Sequence, residues 1–466
     1  MDIKYSTEED VLNRAKEIYE SGIHPFRLLD INNRLDRNSN KGNLGQIIEE
    51  GWFGIDVNSR HEKDFLDANL ELKVIPYLKK DKGISGKERL VVTMINYSEE
   101  AKASCLEESS FWKKADNILL MTYEHKYDTW KGDYFVDYAK IHKFSPEDIE
   151  IIRNDWEIIH SYIVEGRAHE LSESLTSYLG ACTKGMDGSV LVNQYNNTIK
   201  AQPRAFCLKS SYISSIIKKS LTDDFYVREK EVQYSFGSPK KVNIIEYRVL
   251  NLFSQHLGKS IGVLSKEFFV DFESKSINNS LITRMVNRSD STLIDTLKKS
   301  NTIIKTITIN TTLKVKESMS FPTFRFQEII NESWIESRQR EYFEDLRILF
   351  VVFQNIDNII RLKKVFFYTL KEHELSNICI VYEKLRKILI EGNVYSYNSI
   401  TNSYSNRLPK IKDNTVTHIR PHASKADYSV NGQYADYIPS DNKWMTNQCF
   451  WLNAKYIESI IKINLK

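Results

Sequence analysis

The chain has little of what marks a secreted, membrane-borne or zinc-stapled protein. Its five cysteines (Cys105, Cys182, Cys207, Cys379 and Cys449) are scattered over 466 residues without one Cys-x-x-Cys pair. Zinc ribbons and disulfide frameworks need paired or closely spaced thiols, so both are excluded, and reduced thiols in a cytoplasm are expected. Long apolar runs are missing as well. The longest candidate, Ile348 to Ile360, is broken by Gln354, Asn355 and Asp357, so no membrane span or membrane partner is predicted. Met1 to Asp10 have no apolar core, and no secretory leader is expected. With 17 Gly and 9 Pro, collagen-like and linker-like chains are excluded. No GxGxxG occurs, and Gly258-Lys259-Ser260 lacks the upstream glycine of a phosphate loop. The histidines form no Ser-His-Asp constellation. His418 and His422 have Pro421 between them and no third ligand in view, which argues against zinc.

A strong net charge is the remaining absence: 65 Lys+Arg against 62 Asp+Glu leave only +3. Such a balance speaks against a nucleic-acid partner only if it is uniform, and it is not. The first 220 residues are net acidic and the rest net basic. Within the acidic part, residues 181–220 carry Lys184, Lys200, Arg204, Lys209, Lys218 and Lys219 against the single acid Asp187. That stretch reads as a solvated face or as a contact to a phosphate backbone.

What is present is enough apolar material for real cores, 41% with 12% aromatics. The length suits about two to four domains. An internal duplication narrows that range. Phe206 to Lys218 has a near twin in Phe450 to Lys462, identical at eight of 13 positions without a gap. Asp155-Trp156-Glu157…Glu165-Gly166 echoes Val381-Tyr382-Glu383…Glu391-Gly392, and Leu72-Lys73-Val74-Ile75 echoes Ile304-Lys305-Thr306-Ile307. Three echoes in one order point to one fold used twice. The charged, turn-rich stretch ending in Val242 is the expected linker, giving domains 1–222 and 243–466 around a linker at 223–242. Each copy alternates helical and strand-like segments. Apolar residues recur at helical spacing over Asp155 to Leu175, while Arg89 to Ile95 and Asn117 to Met121 read as buried strands. A mixed α/β domain of roughly 200 residues, repeated, is the expected fold.

The most informative segment is Asp64 to Pro76. From Leu70 onward it alternates as a half-buried strand does, sending Leu70, Leu72 and Val74 to one face and Glu71 and Lys73 to the other. Two acids offer hard oxygen ligands for Mg²⁺, and a lysine beside them can position or help deprotonate an attacking water. Asp-x6-Glu-x-Lys alone arises by chance roughly once in a lysine-rich chain of this length. An exposed strand face with a salt bridge would look the same. Its surroundings add weight: Lys41 to Gly54 reads as a glycine-punctuated helix bringing further acids towards the strand.

Several motifs in order make a resemblance. Gly45-x3-Glu49…Trp52-Phe53-Gly54, then Asp64-x6-Glu71-Leu72-Lys73-x-x-Pro76, are followed by Ser109-Ser110-Phe111-Trp112-Lys113-Lys114, the Asp155 helix and Pro203-Arg204-x-Phe206-x-Leu208-Lys209. Together they resemble the MutH/Sau-type endonucleases, the family of the methyl-directed repair nickase and of type II restriction enzymes that cut at GATC. The resemblance covers residues 30–220, and the two-copy length is similar to the restriction branch. It implies two tandem restriction-endonuclease-like (MutH-like) domains, the second degenerate. It also implies Mg²⁺-assisted in-line hydrolysis of double-stranded DNA leaving 5′-phosphate and 3′-hydroxyl ends, by chains that pair as a homodimer on DNA. A cognate methyltransferase would protect the host. Carried over by position, the metal-binding acids fall on Asp64 and Glu71 and the catalytic lysine on Lys73. Glu49 falls on the helix glutamate with Glu50 as its rival, and Lys114 on the second lysine with Lys113 as its rival. A strand-nicking repair enzyme and a non-catalytic site-specific DNA-binding protein remain the alternatives.

Aligned through Lys73 and Lys305, the second copy has Ile303 in place of Glu71 and Thr296 in place of Asp64, and Glu344 falls opposite Lys114. An isoleucine cannot ligate Mg²⁺, so this copy is expected to be catalytically dead. Thr417 to Lys425 resembles the loop by which the family reaches base edges, and Arg420 suits bidentate reading of guanine. Arg420, His422 and Lys425, with Lys41, Lys184, Arg204 and Lys209 of the first copy, are the expected DNA contacts.

Overall fold

The computed structural model describes residues 5–36, 42–57, 62–80, 83–184, 190–222, 242–271, 277–400, 403–421 and 434–465. The chain divides into two compact units, one of Met1–Tyr247 with Lys299–Asn301, the other of Arg248–Lys298 with Thr302–Lys466. Residues 223–241, most of the expected linker, lie outside the described residues. The first unit runs past Val242 for a physical reason. Asn154 takes the Val242 carbonyl (3.0 Å) and receives the Ile244 amide (2.9 Å), while Asn243 donates to Ser177 Oγ (2.9 Å).

In the first unit, helix α1 (Glu8–Glu20) starts where Thr7 and Asp10 form a capping box, and it buries Val11, Ala15 and Ile18. Helix α2 (Asn43–Gly51) buries Leu44, Ile47 and Ile48, the i, i+3, i+4 stripe of an amphipathic helix. Gly51 is fixed by packing, because a Cβ there would lie 2.4 Å from the Leu29 carbonyl oxygen. These helices cover one face of a four-stranded sheet. Strand β1 (Glu71–Lys80) pairs antiparallel with β2 (Gly83–Gly86) and parallel with β4 (Ile118–Glu124), which pairs antiparallel with β5 (Val136–His142). Six consecutive buried residues in β4 show why it reads as an unbroken apolar run: it is covered on both faces. A second sheet sets β7 (Arg204–Leu208) between β3 (Leu90–Met94) and β6 (Leu179–Thr183), antiparallel to both.

Two helices complete the frame. Helix α3 (Ser110–Ala115) is capped by Ser109 Oγ accepting from the Trp112 amide, and it leads directly into β4. Helix α4 (Pro146–Val164) begins at the Ser145 cap with proline at its first position. The helical spacing noted from Asp155 to Leu175 therefore marks only the second half of a longer helix. The chain leaves it at Gly166, whose φ of +70° suits glycine, and residues 168–170 and 173–175 are single 3₁₀ turns.

The second unit has its own core, including Ile307, Phe321, Phe343, Phe350, Tyr382 and Phe450. Strand β8 (Thr302–Ile309) runs parallel to β10 (Arg347–Ile356), which pairs antiparallel with β11 (Ile359–Thr369). Helix α5 (Glu372–Glu391) follows. A second sheet places β13 (Gln448–Leu452) between β9 (Met319–Thr323) and β12 (Thr417–Pro421). Among the described residues no helix is long and apolar enough to cross a membrane.

Candidate active site

Local chemistry sets up the site at the start of β1. Phe65 and Leu70 exchange backbone hydrogen bonds (3.0 and 3.1 Å) around a turn in which Asn69 takes φ +52°. The Lys63 ammonium latches this turn by donating to the Asn69 carbonyl (3.0 Å), to Asn69 Oδ1 (2.9 Å) and to Asp116. Asn117 donates to the same Asn69 carbonyl (3.1 Å). The latch carries Asp64 back against the strand, where its Oδ2 accepts the Leu72 amide at 2.8 Å.

Glu71 opens β1 and is only 1% exposed. Its Oε1 accepts from Lys73 Nζ at 2.6 Å and from Lys114 Nζ at 3.2 Å. Lys114 reaches it because α3 feeds β4, whose Ile118 stands beside Glu71 in the parallel register. Lys113 points out to solvent. The other Glu71 oxygen, Oε2, is buried and has no hydrogen-bond partner. Leaving a carboxylate oxygen dry and unpaired costs on the order of 1–3 kcal/mol or more, unless something binds there.

Glu49 joins this group from α2. Its carboxyl is pushed up to about 7 by burial and then by repulsion from Asp64 and Glu71, partly opposed by Lys73 and Lys114. Burial and Glu71 likewise hold Asp64 above its ordinary value. Burial alone would lower the Lys73 ammonium, but Glu71, then Asp64 and Glu49, offset it and hold the lysine above its usual value. Glu50 is occupied elsewhere. Arg34 donates from Nε to its Oε2 (2.8 Å) and from Nη2 to its Oε1 (2.5 Å).

Three carboxylates against two ammonium groups leave a net negative cluster with one orphaned oxygen, which fits a hard divalent cation. Among the described residues no three His, Cys, Asp or Glu side chains close a metal cage by themselves. Mg²⁺ takes only one or two protein carboxylates and fills the rest of its shell with water and phosphate oxygens, so Asp64 and Glu71 are the candidate donor pair.

The sign of the Glu49 shift gives a test. A carboxyl raised on folding holds its proton in the folded chain. It therefore favours the fold at low pH, and that contribution is lost as pH climbs from about 4.5 through about 7. The metal-free protein is expected to lose about 1–3 kcal/mol of stability across this range, with Glu49→Gln removing most of the loss. A cation held by the neighbouring Asp64 and Glu71 would favour ionised Glu49, so Mg²⁺ should displace up to about one proton per chain near pH 6.5 and almost none near 8.5. Calorimetry in buffers of different ionisation heat reads that proton; equal release at both pH values would refute it.

Two expected DNA contacts are corrected. Arg204 is buried and donates to the Ala181 carbonyl (2.6 Å) and to the Leu171 carbonyl. Lys209 is 0% exposed and donates to the carbonyls of Glu173 (2.6 Å) and Thr176 (2.7 Å). Both close loops inside the unit and reach no surface. The signal was present in sequence: Ala205-Phe206-Cys207-Leu208 is apolar at four successive positions, as in a strand covered on both faces, so the residues at its ends are drawn inward. Lys209→Met should lower unfolding stability by about 2–4 kcal/mol in a urea titration, because two buried carbonyls lose their donor. The DNA affinity of the folded fraction should stay within about twofold; the reverse pattern would restore a phosphate-contact role.

Of the remaining expected contacts, Lys184 is half-buried at the end of β6. Arg420 is exposed at the end of β12, with its guanidinium 4.5 Å over the Trp451 ring, and Trp451 Nε1 donates to the Arg420 carbonyl (3.0 Å). Lys41, His422 and Lys425 lie outside the described residues. His418 is buried against Asn453 (2.6 Å).

In the second unit Thr302 to Ile309 pair with Arg347 to Gln354, so Ile303 stands beside Ile348 as Glu71 stands beside Ile118. Lys305, in register with Lys73, pairs with no acid among the described residues. Its Nζ donates to the Ser320 carbonyl at 2.8 Å, and burial lowers its pKa. Asp295 is on the surface, paired with Lys298 (3.3 Å). Glu344 bonds Arg340 (2.6 Å).

A buried Glu-x-Lys strand flanked by two more acids and a second lysine has the donor set a phosphodiesterase would need. Comparison with known proteins narrows this to a site-specific DNA endonuclease. The family described as DNA mismatch repair enzyme MutH matches residues 53–155. The chain is 33% identical over 494 aligned residues to the type II restriction enzyme Sau3AI of Staphylococcus aureus, covering 98% of this chain and 99% of that one. It is 26% identical over 226 residues to the DNA mismatch repair protein MutH of Actinobacillus pleuropneumoniae serotype 3 (strain JL03), covering 46% of this chain and 95% of that one. A MutH protein of Vibrio cholerae serotype O1 is also 26% identical, over 223 residues, 46% of this chain and 96% of its own. The chain belongs to the MutH/Sau-type endonuclease family.

Proposed function

We propose that the protein is a Mg²⁺-dependent type II restriction endonuclease whose first unit cuts and whose second unit is a degenerate copy that binds DNA. The observation that carries the catalytic assignment is Glu71, one oxygen gripped by two lysines and the other buried without a partner, close enough to Asp64 for the two charges to interact. Asp64 and Glu71 would hold the metal. Bound there, Mg²⁺ would neutralise the scissile phosphate and acidify a water for in-line attack. The chain's own groups do the rest. Lys73 and Lys114 fix the Glu71 carboxylate and offset charge on the phosphate. The raised value of Lys73 favours this charge role over proton abstraction. Glu49, at about 7, is the group poised to take a proton near neutrality.

The repeated strand order and parallel register support the view that the second unit is the same fold without its acids. Arg420, exposed and braced on Trp451, is the residue assigned to base reading. Coverage favours restriction over nicking, since the repair relatives span 46% of this chain and the restriction relative 98%. GATC is the target the family resemblance implies. One active site per chain cannot cut both strands at once, so two chains are expected to pair on DNA, and a cognate methyltransferase would shield the host's own sites.

Incubating the purified protein with unmethylated plasmid and Mg²⁺, then mapping the ends, tests the reading. Discrete double-strand cuts at one short sequence with 5′-phosphates are expected. Nicks alone would favour the repair alternative, and intact DNA that is still bound would remove catalysis.

A further inference from the structure

The second unit carries a basic groove that no residue discussed so far explains. It is a cleft of about 500 Å³ between the last turns of α5 and residues 406–413. From α5 it is lined by Lys384 and Lys387, and from the facing loop by Arg407, Lys410 and Lys412. All five are exposed. Its two acids are already engaged. Asp413 accepts the Lys410 amide at 2.7 Å and lies 3.4 Å from Lys384, and Glu391 lies 3.7 Å from Lys387. No carboxylate among the described residues pairs with Arg407, Lys410 or Lys412. Five cations against two acids leave the groove with a positive surplus, a field that attracts an extended anion.

The groove is also continuous with the strand bearing Arg420. The Ile419 amide donates to the Pro409 carbonyl (2.8 Å), joining β12 to the loop between Leu408 and Lys410. Asn414 accepts the Val416 amide at 2.8 Å and donates to Asn377 of α5 at 3.0 Å, stitching loop, strand and helix together. The Arg407 amide donates to the Val394 carbonyl (3.0 Å). Cations on so braced a surface lose little freedom when they meet a polyanion.

We infer that this groove is the phosphate-backbone track of the second unit, holding the sugar-phosphate strand of duplex DNA whose bases Arg420 faces. The inference rests on the proposed reading that the second unit binds DNA. It adds a second, sequence-independent element: Arg420 selects, and Arg407, Lys410 and Lys412 anchor. Phosphate contacts release condensed counterions, so each one steepens the salt dependence of binding by about 0.9 in log K against log salt.

The test uses the full chain carrying Asp64→Ala, so that DNA is not consumed, with a fluorescent GATC duplex and KCl from about 50 to 300 mM. Arg407→Gln/Lys410→Gln/Lys412→Gln should lower the salt slope by about 2–3 and weaken binding about 10- to 100-fold near 100 mM salt. A control triple on the same unit, Lys266→Gln/Lys363→Gln/Lys455→Gln, removes equal charge from exposed positions outside the groove. It should leave the slope within about 0.5 of the parent. The inference is overturned if both triples behave alike, or if inorganic phosphate at constant ionic strength displaces the duplex as a lone anion would. If the parent binds DNA and only the groove triple is silent, the track fails while the endonuclease reading stands. A parent that binds no DNA would overturn both.

Discussion

Asp64→Ala is expected to reduce DNA cleavage by at least about a thousandfold while leaving duplex affinity within about threefold. The carboxylate feels the charge of Glu71, the other proposed metal ligand, so its removal would leave the metal with one hard protein ligand of two. The loss is concentrated in the transition state, where charge on the phosphate is greatest. The same substitution also removes the acceptor for the Leu72 amide, which costs about 1 kcal/mol of local stability. Asp64→Asn separates the two effects. It keeps an oxygen for Leu72 and loses only the charge, so it should be as inactive as the alanine variant but fold like the parent. Cleavage within tenfold of the parent in both variants would show that the metal sits elsewhere.

Lys73→Met is expected to lower cleavage by about 100- to 1,000-fold. Glu71 would keep only Lys114, whose contact at 3.2 Å is longer than the 2.6 Å of Lys73. With less positive charge nearby, the three carboxylates repel one another more strongly. The pH at which cleavage reaches half its maximum should therefore rise. Lys114→Met should act in the same direction but less strongly. Lys73→Arg should rescue little, because a planar guanidinium cannot take the compact position of the ammonium 2.6 Å from Glu71. A Lys73→Met enzyme with unchanged rate and pH profile would relegate the lysine to a structural ion pair.

Much of this site was legible in the sequence because its geometry is local. Period-two alternation from Leu70 fixes which side of β1 carries Glu71 and Lys73, and α3 runs straight into the strand paired with them. Where choices stayed open, distant residues decide. Glu49 and Glu50 lie about 100° apart around one helix, and Arg34, sixteen residues upstream of Glu50, claims the latter. Lys113 and Lys114 differ only in which of them faces the sheet. Arg204 and Lys209 were misread because charge was counted without the apolar strand between them, whose central place in its sheet is set by pairing with β3 and β6. The Lys63 latch under the Asp64 turn joins groups as far apart as Asp116, and no local pattern announces it.

Loading the protein with Fe²⁺ and cutting the polypeptide with the hydroxyl radicals it generates from peroxide, ascorbate re-reducing the iron, reports most directly which of the two units would hold a metal ion. Backbone cuts should cluster near Glu49, Asp64 and Glu71, disappear in Asp64→Ala, and be absent around Thr296 and Ile303. Cuts centred on the second unit, or cuts near Glu71 that persist without Asp64, would contradict a single catalytic centre in the first.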